Sequence, residues 1–133
     1  MKTIEGRLLT ILPAACIKSS LSDRLSYASD AGFYQLTPQA IVLPRNEEDI
    51  QQLFLWSSRE NIPLVFRAAG TSLSGQSITD GVLVDISRHW RKATVHAATK
   101  TVLVQPGITG GMVNHYLKKF QQTSNSVFCM WRK

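Results

Sequence analysis

Between Arg67 and Ile78 the chain reads Arg-Ala-Ala-Gly-Thr-Ser-Leu-Ser-Gly-Gln-Ser-Ile, almost entirely small or hydroxylic residues. Gly70 and Gly75 tolerate positive φ and let the main chain approach a ligand with no β-carbon in the way. Successive amides in such a turn form an anion-binding nest, and Thr71, Ser72, Ser74 and Ser77 add hydroxyl donors. The small side chains of Ala68 and Ala69 leave the approach open. A phosphate or pyrophosphate suits that combination. The nearest general pattern is the nucleoside-triphosphatase loop G-x-x-x-x-G-K-[ST]. Gly70 to Ser77 fits it except that Gln76 stands in the lysine position. Lacking that charge, the loop can hold a phosphate but has lost the main cation for transferring one. The nicotinamide fingerprint G-x-G-x-x-G is absent. The residues describe a binder of diphosphate rather than a cutter of it, although composition alone leaves a plain surface loop with two turn glycines equally open.

The flanking sequence says what positions this loop. Ala40 to Leu43 is a short apolar run ended by Pro44, a buried strand. Asn46 then caps a helix over 46–60 with Glu47, Glu48 and Asp49 in its first turn, where the helix dipole favours anions. Ile50, Leu53, Phe54 and Ser57 mark its inward face, and Asn61 and Pro63 end it. Residues 64–67 form the next strand, buried and parallel to the first because a helix separates them. Asp80-Gly81 turns into a third strand over 82–86. Residues 93–96 and 101–105 read as a hairpin around Thr99-Lys100, closed by Pro106-Gly107. A last helix over 109–120 carries Val113, Tyr116, Leu117 and Phe120 on one face. The expected fold class is α+β: a small parallel sheet with flanking helices and a hairpin.

A chain of 133 residues has room for one domain with a real core. Its 44% apolar and 18% charged residues are those of a globular protein. No stretch approaches the roughly 20 apolar residues that span a bilayer. Lys2 and Arg7 before Leu8, Leu9, Ile11 and Leu12 loosely echo a lipoprotein signal, but Glu5 and Pro13 are out of place there, so a helix or arm over residues 1–24 is expected. Cys16 and Cys129 lack companion ligands, which points to reduced thiols and a cytoplasmic setting. The net charge of +6 gathers late: residues 101–133 hold four basic residues and no acidic one. Such a half suits a phosphorylated cofactor, a nucleic acid or an acidic partner. His89, His96 and His115 have no ligand spacing, so no metal is assigned. Asp23, Asp30 and Asp85 form no obvious carboxylate pair, so no catalytic residue is assigned either.

The string from Arg67 to Ile78 closely resembles the pyrophosphate loop of FAD-linked oxidases whose flavin domain is of the p-cresol methylhydroxylase (PCMH) type. Tyr27-Ala28-Ser29-Asp30 with Pro38 to Pro44, Asp80 to Trp90, and Gln105-Pro106-Gly107 resemble other segments of that domain in the right order. The likeness covers residues 25–120 and is strongest to D-2-hydroxyacid dehydrogenases fused to an iron–sulfur region, among them D-lactate, D-2-hydroxyglutarate and glycolate enzymes. It implies the first subdomain of a PCMH-type FAD-binding fold. It implies that Ala68, Ala69, Gly70, Thr71 and Ser72 contact the pyrophosphate, with Arg67 at the head of the loop among the cofactor-binding residues. Gly75 and Gln76 would hold the far side, and Pro106 and Gly107 would border the ribityl chain or the ring. Some relatives attach the flavin through a histidine in this loop; none lies between Arg67 and Ile78, so the implied FAD is non-covalent.

Residues 121–133 match nothing in that family and give the expectation of a truncated flavin domain lacking the catalytic part. An exposed half-interface on such a fragment is one that a second copy could cover. The implied parent function is FAD-dependent oxidation of a 2-hydroxyacid, hydride passing to the flavin and electrons leaving to a separate acceptor. Two alternatives stand beside it. One is a degenerate phosphate-loop nucleotide-binding module. The other is a basic module acting on a protein or nucleic acid through Arg88-His89-Trp90-Arg91-Lys92, a cluster that reads more simply as a solvated edge, so nucleic acid is not expected.

Overall fold

A computed structural model describes residues 3–96 and 98–123. The chain forms two compact units, Met1–His89 and Trp90–Lys133. In the first, strands β1 (Ile17–Lys18), β2 (Ala40–Val42), β3 (Leu64–Arg67) and β4 (Val82–Asp85) make one sheet in the order β1-β2-β4-β3. The strands β2, β4 and β3 are parallel, with Ala40 and Leu64 both level with Val82. Strand β4 takes the centre because all four of its residues are apolar or can be bonded when buried, and Val82, Leu83 and Val84 are fully buried. Two expectations change here. The strand over 64–67 lies at the sheet edge rather than buried, with Phe66 36% exposed, because β4 inserts between it and β2. The sheet is also mixed, since β1 pairs antiparallel with β2, Ile17 opposite Val42. A strand of two residues is too short to leave a periodic signal.

The long helix α3 (Glu47–Glu60) is positioned by its caps. The Asn46 side chain accepts from the Asp49 amide at 2.9 Å. Asp49 in turn accepts from the Arg45 amide, Nε and Nη2 at 2.9, 3.0 and 3.1 Å. Asn61, left-handed at φ 53°, closes the helix with its amide on the Ser57 carbonyl. The buried stripe is Asp49, Leu53 and Trp56, not Ile50, Leu53, Phe54 and Ser57. Both sets have helical spacing through Leu53; Trp56 offers more area to the core and wins. Phe54 lies outside, 55% exposed, its ring 5.7 Å from that of Phe66. The described part of the N-terminal segment, from Thr3, forms two short helices and a strand. Helix α1 (Ile4–Leu8) buries Leu8 completely, and Arg7 pairs with Glu60 at 2.9 Å. A tight turn at Ala14–Cys16 leads into β1, and helix α2 (Leu21–Ser26) follows, capped by Ser20.

The second unit holds the hairpin β5 (Ala93–His96) and β6 (Thr101–Val104), with Ala93 opposite Val104. Lys100 has φ 52°, the left-handed geometry of the hairpin turn. The base is tied by reciprocal bonds between Lys92 and Gln105 at 2.9 Å and by the Gly107 amide on the Trp90 carbonyl at 2.7 Å. Helix α4 (Gly110–Thr123) starts three residues past Gly107 and buries Leu117; on its expected inward face Val113 is half-buried, while Tyr116 and Phe120 are exposed. Residues 124–133, most of the segment expected to depart from the family, lie outside the described residues.

Candidate pyrophosphate-binding loop

The loop Ala68–Ser77 leaves the C-terminal end of β3, where ligands of open α/β sheets gather. Gly70 has φ 66° and Gly75 has φ 75°, so the main chain turns twice through a region L-residues avoid. Ser72 is the hub inside the turn: its Oγ accepts from the amides of Ser74 and Gln76 at 3.3 and 3.1 Å and donates to Gln76 Oε1. Two amides are thus consumed internally. Among the described residues, the amides of Ala69, Gly70, Thr71 and Leu73 meet no protein acceptor. Ala69, Thr71 and Leu73 are exposed, Leu73 to 74%. That leaves a run of main-chain donors at the crest, the donor set a diphosphate needs.

Arg67 is the one cation of the loop segment; its guanidinium lies against Gly70 and is tied to an upstream segment. Its Nη1 donates to the carbonyls of Tyr27 and Ser29 at 3.2 and 2.8 Å, and the guanidinium lies over the Tyr27 ring, 5.3 Å from its centre. The Tyr27 hydroxyl donates to Asp85 Oδ2 at 2.7 Å, and Asp85, level with Arg67 across the sheet, also takes the Ser87 amide at 2.8 Å. Burial, and then the bond to Asp85, push the Tyr27 phenol up to about 12. Asp30 faces the far end of the loop: Oδ1 takes the Gly32 amide at 2.8 Å and Oδ2 the Ser77 hydroxyl at 3.2 Å. The bond from Gly32 foremost, with the Ser77 hydroxyl adding to it against an opposing desolvation, holds its carboxyl below the usual value.

Arg67, Ala68, Ala69, Gly70, Thr71, Ser72, Gly75 and Gln76 therefore share one loop of the first unit. Pro106 and Gly107 belong to the turn after β6 in the second unit, Pro106 exposed and Gly107 buried. Tyr27, Asp30 and Asp85 were not singled out by sequence as site residues. Asp30 and Ser77 stand 47 positions apart, and no local spacing announces that pairing. Among the described residues no three His, Cys, Asp or Glu side chains gather as a metal site, and no helix is long and apolar enough to cross a membrane.

A mixed sheet whose parallel strands end in a glycine-turned loop is a setting in which nucleotide cofactors bind, and the profile of the FAD binding domain family matches residues 38–127. The chain belongs to that family, and FAD is the family's cofactor. A D-2-hydroxyglutarate dehydrogenase of Escherichia coli (strain K12) is 34% identical over 106 residues, covering 77% of this chain and 10% of that protein. A glycolate oxidase subunit GlcD of Bacillus subtilis (strain 168) is 31% identical over 110 residues, covering 80% and 23%. The chain thus spans between a tenth and a quarter of these relatives' length. Among solved structures, alkyldihydroxyacetonephosphate synthase shares the fold with a TM-score of 0.76 at 19% identity, over 90% of this chain and 25% of that one. A p-cresol methylhydroxylase with substrate bound does so with a TM-score of 0.70 at 15% identity, over 88% and 24%. These confirm the PCMH-type α+β fold that the motifs imply.

Proposed function

We propose that the Ala69–Leu73 crest holds the pyrophosphate of a non-covalent FAD, and that this chain is the cofactor-holding part of an oxidoreductase acting on a 2-hydroxyacid. The observation that carries the reading is the run of amides at Ala69, Gly70, Thr71 and Leu73 that meet no acceptor among the described residues, in a turn made by the left-handed Gly70. Ala68 and Ala69 keep the approach open, Gly70 and Gly75 shape the turn, and Ser72 and Gln76 lock it from within; Thr71 supplies a hydroxyl at the crest. Pro106 and Gly107 are proposed to border the ribityl chain or the ring. When bound, FAD supplies a ring able to accept a hydride from the carbon bearing the hydroxyl. The residues of this chain bind and orient it, and none of them is proposed as the catalytic base.

The Arg67 guanidinium, held by two neutral carbonyls beside Gly70, keeps its charge, so recognition combines main-chain amide dipoles with one fixed cation. The relatives named as D-2-hydroxyglutarate dehydrogenase and glycolate oxidase support the 2-hydroxyacid class. The test is titration of the purified chain with FAD, followed by flavin and tryptophan fluorescence, with ATP as the control. A saturable response to FAD and indifference to ATP is expected. Equal response to ATP would favour a general nucleotide loop, and silence toward FAD would remove the proposal.

A further inference from the structure

Both feet of the loop are tied to the same four residues. At the start, Arg67 reaches the carbonyls of Tyr27 and Ser29. At the end, the Ser77 hydroxyl reaches Asp30, 47 positions away, and Ser77 is buried where it does so. The turn after Asp30 packs against the loop as well: Gly32 lies beside the Leu73 carbonyl, and the Tyr34 ring lies beside Gly75. A backbone bridge between Ser29 and Gln35 and a bond from the Leu36 amide to the Ala28 carbonyl fix that turn in its own right.

A carboxylate beside a loop meant for phosphates is unfavourable for the ligand unless it does something else. An ionised carboxylate only accepts, and here its two oxygens take one donor from its own turn and one from the loop. We propose, resting on the FAD reading above, that Asp30 is a positioning residue for the pyrophosphate loop: by joining Gly32 to Ser77 it fixes the loop's exit and holds the Ala69–Leu73 main chain in its turn before any ligand arrives. A loop already ordered in its binding form loses less conformational freedom on binding, so the brace raises affinity without touching the ligand.

The test compares Asp30→Ala with Asp30→Asn in the full chain. The amide of asparagine can keep one acceptor for Gly32 and turn its donor to the Ser77 oxygen, so it should rescue what alanine loses. Three quantities are read: amide hydrogen exchange by NMR, the FAD dissociation constant, and the unfolding midpoint. In Asp30→Ala, exchange at Gly32, Gln76 and Ser77 should accelerate, and FAD binding should weaken about tenfold, the effect of one broken charged hydrogen bond. Exchange in β2 and α3 should stay as in the parent chain, and Asp30→Asn should recover most of both effects. Unchanged exchange in the loop, faster exchange spread evenly over β2 and α3, or FAD affinity equal to the parent's would each overturn the proposal. A parent chain indifferent to FAD would sink the cofactor reading alone, and exchange at Gly32, Gln76 and Ser77 would still decide for or against the brace.

Discussion

Replacing Gly70 by alanine should be costly for two separable reasons. At φ 66° an L-residue pays about 1–2 kcal/mol for left-handed backbone. The new Cβ would also stand 2.6 Å from Arg67 Cζ, so the guanidinium has to withdraw from the Tyr27 and Ser29 carbonyls. A charged hydrogen bond contributes about 1.5–3 kcal/mol, and exposure of the Ser29 bond places this pair near the lower end. The sum is about 3 kcal/mol for Gly70→Ala, of which roughly half belongs to the backbone and half to the clash. Arg67→Ala removes the clash but also the two bonds, costing about 1.5 kcal/mol by itself. The double variant therefore should lose less than the two singles together, by about 1 kcal/mol or more. Urea unfolding of the four proteins gives the coupling, and FAD titration of the same set reads the loop. Gly70→Ala should weaken FAD at least about tenfold, the equivalent of about 1.4 kcal/mol. Strict additivity, or a Gly70→Ala chain that binds FAD as the parent does, would refute the reasoning.

Tyr27→Phe strands the buried Asp85 oxygen and should cost about 1–3 kcal/mol in urea unfolding; a neutral result would mean water replaces the phenol. The same phenol titrates at about 12 in the folded chain against 10.0 ordinarily, so its contribution is complete below 10 and is lost as the pH rises through 12. Ultraviolet absorbance titration should show one of the three tyrosines ionising late, and Tyr27→Phe should delete that step. Asp49 is held below its usual 3.8 chiefly by the Arg45 side-chain bond, so its stabilisation is present above 3.8 and fades as the pH falls further. The gap in unfolding midpoint between the parent and Asp49→Asn should therefore close in acid; a gap that persists would show that the pair is not the cause. Trp56 is 1% exposed, yet its Nε1 has no hydrogen-bond partner among the described residues. Trp56→Phe should therefore lose less than about 1.5 kcal/mol and Trp56→Ala about 3–5 kcal/mol by thermal or urea unfolding, and similar losses would contradict that packing.

Local rules carried much of the structure. The Asn46 cap, the acidic first turn and the Asn61–Pro63 stop bound α3 in sequence, and each acts within a few residues, which is why it is legible there. The same holds for the strands at 40–42, 64–67 and 82–85 and for the hairpin at 93–104. Choosing among several faces with equal spacing was another matter. Ile50 and Phe54 share helical phase with Leu53 as well as Asp49 and Trp56 do, and only the presence of a sheet on one side selects between them.

The sequence by itself determined that a strand ends in a lysine-free turn punctuated by Gly70 and Gly75, because backbone permissiveness and hydroxyl content are properties of the residues. Only the tertiary structure decided that Arg67 bonds the Tyr27 and Ser29 carbonyls while lying against Gly70, that β4 rather than β3 is central, and that Asp30 meets Ser77. Those outcomes depend on which distant segments become neighbours, and that is fixed by burying the apolar strands together, not by any spacing along the chain.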